Sequence, residues 1–72
     1  MDTQTETEVK WCYSRGNSMD LYFTEDINYL LKIPDNENGV FLYRLDGDFN
    51  YNYTGQRFAT IADASYYLTK VG

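Results

Sequence analysis

The sequence predicts an α+β fold, an antiparallel β-meander of about five strands with one C-terminal helix packed across it. Three observations carry that reading. Apolar and polar residues alternate with period two in short segments between residues 9 and 53. Polar clusters bearing Gly, Asn and Asp separate those segments and read as turns. Only the last stretch, 58–71, switches to helical spacing, with Ile61, Ala64, Leu68 and Val71 on one face and Tyr67 beside them.

Residues 1–7 are polar and are expected to form a flexible tail ahead of a single small domain over 8–72. Val9, Trp11 and Tyr13 alternate with Lys10 and Cys12 as a first strand. A turn over 14–18, centred on Arg15-Gly16-Asn17, leads to a second strand over 19–23, which Thr24-Glu25-Asp26 ends. Over 27–33, Ile27, Tyr29, Leu31 and Ile33 alternate with Asn28, Leu30 and Lys32, which favours a strand. Thr24 as a cap before Glu25 and Asp26 would favour a short helix there instead. Pro34 stops either element.

A polar loop over 34–39 ends in Asn-Gly. Residues 40–45 form a fourth strand, apolar on both faces except at Arg44 and therefore central. Asp46-Gly47-Asp48 is a tight hairpin turn. Phe49, Tyr51 and Tyr53 alternate with Asn50 and Asn52 as a fifth strand. Thr54-Gly55-Gln56 turns the chain, and Phe58 leads into the helix. There Thr60 can cap the first turn, Asp63 faces its free N–H groups, and Lys70 suits the C-terminal end of the dipole. A helix this short is marginal alone in water, so its apolar face requires the sheet.

At 72 residues the core is thin, and a partner or self-association commonly supplements one of that size. Eight Tyr are too many for all to be central, since each hydroxyl needs a polar partner. Some should sit at the rim or on a binding face. The formal net charge is −5. The six basic residues, Lys10, Arg15, Lys32, Arg44, Arg57 and Lys70, are scattered, so direct nucleic-acid binding is not expected. A basic protein partner would be attracted. No apolar run approaches a membrane span and no leader pattern opens the chain, so a cytoplasmic protein without membrane contact is expected.

The residue types offer little chemistry. There is no His, and Cys12 lacks an activating base, so it reads as a small buried hydrophobe. Two acidic stretches, 35–39 and 46–50, fail as calcium loops: Val40 and Tyr51 stand where the loop glycine belongs. No enzyme, cofactor or metal site is expected. Phe49, Tyr51 and Tyr53 read as core rather than as a base-stacking platform, which would be flanked by Lys and Arg.

One constellation remains. Successive turns of a meander alternate between the two ends of the sheet. Glu25 and Asp26 in one turn, and Asp46 and Asp48 in another, therefore share an end, about 10 Å apart. These four are the expected partner-binding residues. Arg15, Arg57, Asp35 and Glu37 make the opposite end mixed.

A small, acidic, Tyr- and Asn-rich chain of this kind resembles, in composition, phage-encoded inhibitors, including anti-CRISPR proteins and DNA mimics. That resemblance implies a non-catalytic protein-binding module, an inhibitor occupying a basic, nucleic-acid-binding surface of a partner protein. With Asp2, Glu6 and Glu8 set aside, the remainder carries only −2, too little for a full duplex mimic. The alternative is a structural or assembly subunit, in which a Tyr-rich surface mediates docking or a homo-oligomer.

Overall fold

The computed structural model describes residues 9–71, without the side chain of Val71. The tail over 1–7 and the expected docking of Val71 lie outside the described residues and side chains. Five strands precede one helix: β1 (Trp11–Gly16), β2 (Met19–Thr24), β3 (Tyr29–Pro34), β4 (Val40–Leu45), β5 (Tyr51–Phe58) and α1 (Ile61–Val71). Each strand pairs antiparallel with its predecessor, in the order β1-β2-β3-β4-β5. The α+β meander with a C-terminal helix is thus the observed architecture, and the segment that could be strand or short helix is a strand from Tyr29 on, with Ile27 and Asn28 in the preceding turn.

The pairing register sorts side chains onto two faces. On one, Tyr13, Tyr22, Leu31 and Leu42 stand opposite one another across four strands. This face receives the helix. Leu31, Val40 and Leu42 from the sheet and Ala64 and Leu68 from α1 form the core cluster. Leu31 and Ala64 are fully buried. Ala64 lets the helix approach closely, while Ile61 and Tyr67 pack beside it. Each fully buried Leu contributes about 1.5–3 kcal/mol. The helix is also tied to the far edge of the sheet, where Trp11 Nε1–H donates to Ser65 Oγ at 2.7 Å.

The helix starts as its cap dictates. Asp63 N–H donates to Thr60 Oγ1 at 3.1 Å, so the first turn begins at Ile61 and 58–60 belongs to the strand and its exit.

Two expected turns are strand instead. β1 continues through Ser14, Arg15 and Gly16, which pair with Leu21, Asp20 and Met19. Asn17-Ser18 alone reverses the chain, with Ser18 at φ 62°. Arg15 is held in the strand by two carboxylates, Asp20 at 2.9 Å and Asp35. Thr54-Gly55-Gln56 is a bulge within β5 rather than a turn. From Tyr53 to Arg57 the strand advances four residues while β4 covers two, Tyr43 to Phe41. Gly55 takes φ 88°, and Thr54 Oγ1 donates to the Leu42 carbonyl at 2.9 Å across the irregularity.

Candidate functional site: the acidic end of the sheet

The β2–β3 and β4–β5 turns lie at one end of the sheet and are bonded to each other. Leu45 N–H donates to the Asn28 carbonyl at 2.8 Å, and the Tyr51 hydroxyl donates to the Ile27 carbonyl. Glu25, Asp26, Asp46 and Asp48 therefore share one end of the sheet, as turn parity requires. The four differ in what their carboxylates do.

Asp26 and Asp46 hold the turns. Asp26 Oδ1 accepts from the Thr24 hydroxyl at 2.7 Å and the Asn28 N–H at 3.0 Å. Asp46 Oδ1 accepts from the Asp48 and Asn50 N–H groups, and its Oδ2 from the Asn52 amide at 2.7 Å. Bonds to a charged carboxylate lower its pKa. The Thr24 hydroxyl and then the Asn28 N–H hold Asp26 below the ordinary carboxylate range. The Asn50 N–H, the Asn52 amide and the Asp48 N–H do the same for Asp46. Glu25 and Asp48 are exposed, and neither side chain bonds to another described residue.

A depressed carboxylate contributes stability that is present above its unfolded pKa and is lost as pH falls through the folded one. Acidification below the ordinary Asp range should therefore loosen both turns first. Hydrogen exchange at the Asn28, Asp48 and Asn50 amides, corrected for the intrinsic pH dependence, should lose protection there while the Leu31 amide keeps its own. Equal loss at all four would mean the turns have no separate acid response.

Each turn also lifts one large apolar residue into solvent. Ile27 N–H closes the first on the Thr24 carbonyl at 2.9 Å, and Phe49 N–H closes the second on the Asp46 carbonyl at 3.2 Å. The residue closing each turn takes a left-handed backbone, φ 59° at Ile27 and 63° at Phe49. Gly is the usual occupant of such a position, and a β-branched residue there is a genuine outlier. Both are exposed, Ile27 at 48% and Phe49 at 77%.

The expected placement of Ile27 and Phe49 in strands is therefore corrected: β3 begins at Tyr29 and β5 at Tyr51, and the hairpin turn extends over 46–50. Asp46 keeps Asn50 in the turn by accepting its N–H, so alternation could not extend back to Phe49. The core role expected for Phe49 and Tyr53 is corrected too, since Tyr53 is 48% exposed. Tyr51 is partly covered beside Phe23, with ring centroids 5.8 Å apart.

Leu68 of α1 and Glu25 and Asp26 line one shallow cleft, so the helix runs back toward this end. Lys70 does not pair with the acids; its ammonium lies over the Tyr66 ring, 5.1 Å from the centroid. Cys12 is exposed rather than buried, because it lies on the edge strand β1 and on the face of the sheet opposite the helix.

Among the described residues, no group of three or more His, Cys, Asp or Glu is placed to hold a metal ion. No described helix is long and apolar enough to cross a membrane. No protein-family model, curated protein or solved structure matches the chain.

Proposed function

We propose that the protein is a non-catalytic binding module that plugs a basic surface of a partner protein, in the manner of a phage anti-defence or anti-CRISPR inhibitor. The observation that supports this most is the pairing, on one end, of two exposed apolar tips with exposed carboxylates: Ile27 beside Glu25, and Phe49 beside Asp48. Interfaces draw affinity from a few large apolar anchors and draw steering from rim charge. An apolar cleft rimmed by Lys and Arg, such as a nucleic-acid channel offers, is the complementary surface.

Charge reversal tests this, provided the turns survive it. Reversing Asp26 or Asp46 would break their Asx turns, so the useful variant is Glu25→Lys with Asp48→Lys. Glu37→Lys at the opposite end is the matched control. Asp35 is unsuitable there because it pairs with Arg15. The three proteins serve as baits in a bacterial lysate, with captured proteins quantified by mass spectrometry. A basic protein retained by the parent and by Glu37→Lys, and lost with the double variant, is the expected result. Capture of the same proteins by all three would refute the reading.

A second reading, an assembly subunit, is supported by a different surface. Among the described residues no element covers the face of the sheet opposite α1, and that face is rich in Tyr and Phe. One cross-strand row reads Cys12, Phe23, Leu30, Tyr43 and Tyr53.

A further inference from the structure

The row beside that one reads Ser14, Leu21, Lys32, Phe41 and Arg57. Both cations stand over aromatic rings: Lys32 Nζ lies 4.3 Å from the Tyr43 centroid, and the Arg57 guanidinium 5.5 Å from that of Phe41. No described strand residue of this face carries a carboxylate. Glu37 reaches only its margin, lining a cleft with Lys32 and Phe41. The other acids among the described residues lie elsewhere: at the turns, on α1, and on the helix side of β2.

We infer that this open face is the docking site for the acidic end of a second copy of the chain. The charges are complementary, and so is their spacing. Lys32 on β3 and Arg57 on β5 are two strand positions apart, and so are the β2–β3 and β4–β5 turns; each separation is about 10 Å. Glu25 and Asp48 can therefore meet Lys32 and Arg57 together. Ile27 and Phe49, beside those acids, then meet Phe41, Leu21 and Tyr43, between and beside those cations.

Two open faces could not pair with each other as well. That arrangement would bring four cations together with no strand carboxylate between them, and unpaired buried charge is strongly unfavourable. The contact is thus head to tail, and it propagates as a ring or an open filament. This deepens the assembly-subunit reading and requires no foreign partner.

Sedimentation velocity of the purified protein, over a concentration series at low and high salt, tests it. The parent should assemble with rising concentration at low salt, and less so at high salt. Lys32→Glu with Arg57→Glu, and separately Glu25→Lys with Asp48→Lys, should each need at least about tenfold more protein to assemble. Mixed at equal amounts, the two double variants should assemble again in alternation, since the acidic end of one meets the basic face of the other and the basic end of the second meets the acidic face of the first. The four-fold swap should assemble again. Circular dichroism melts confirm that each variant is folded.

A parent monomeric at millimolar concentration, a mixture that forms nothing, or double variants that assemble like the parent would each overturn the inference. If the parent stays monomeric while the open-face amides shift with added oligoglutamate or oligothymidylate, the face belongs to another occupant. Those outcomes leave the lysate capture unaffected, so the two readings fail separately.

Discussion

Leu68→Asp should abolish cooperative unfolding. Leu68 is 7% exposed and sits in the only cluster that joins the helix to the sheet among the described residues. Its partners there, Leu31, Val40, Leu42 and Ala64, are all apolar, so the cluster offers a carboxylate no counter-charge. Burying an unpaired charge costs several kcal/mol, and the whole domain is stable by about 5–15 kcal/mol, with small domains at the low end. Thr69→Asp, one residue on and exposed, changes the charge equally and should melt close to the parent. Thermal denaturation followed by circular dichroism separates the two. A Leu68→Asp protein that melts like the parent would place the helix elsewhere.

The second large effect runs in the opposite direction. Ile27→Asn combined with Phe49→Asn should stabilise the fold while destroying docking. A left-handed backbone costs an ordinary L-residue about 1–2 kcal/mol, and Asn tolerates it far better. Both side chains are exposed, so little packing is lost. A stabilisation of 1 kcal/mol raises Tm by about 4–8 °C in a domain of this size. The same two changes remove both apolar tips, so capture of a partner and self-association should both decline. Stability gained at the expense of function is the usual sign of strain retained for a purpose. A lower Tm would show that Ile27 and Phe49 support the turns by packing, and unchanged binding would show that they are not anchors.

The fold was legible where local and tertiary signals agree. Val40–Leu45 is apolar on both faces because it is paired on both sides, and its boundaries read directly from the sequence. Thr60 marked the helix start through a single capping bond. The turn parity that gathers Glu25, Asp26, Asp46 and Asp48 followed from the meander alone. Illegible were the places where one residue departs from its usual preference. Ile27 and Phe49 extend the alternation of β3 and β5 on paper, yet the Asx turns at Asp26 and Asp46 capture the backbone first. Gly55 looks like a turn residue, and it serves a bulge. The division of labour among the four acids could not be read from their types, since it depends on which carboxylate meets the N–H groups of its own turn.

The open aromatic face was missed for a related reason. Period-two alternation identifies one inward side, but β2, β3 and β4 are apolar on both sides. Leu30, 3% exposed, is outside the cluster under the helix and lies on the opposite face between Phe23 and Tyr43. A sequence of that kind shows that two faces are apolar without showing that only one is covered.

We propose that binding proceeds from the acidic end. The most direct test is the association rate of the captured partner against ionic strength, for the parent, for Glu25→Lys with Asp48→Lys, and for Glu37→Lys. Exposed charges steer association, and salt screens them over about 8–10 Å near physiological ionic strength. The account predicts a parent rate that falls steeply with salt, a Glu37→Lys rate that follows it closely, and a double variant that is slow at low salt and nearly flat. Three coincident curves would contradict it.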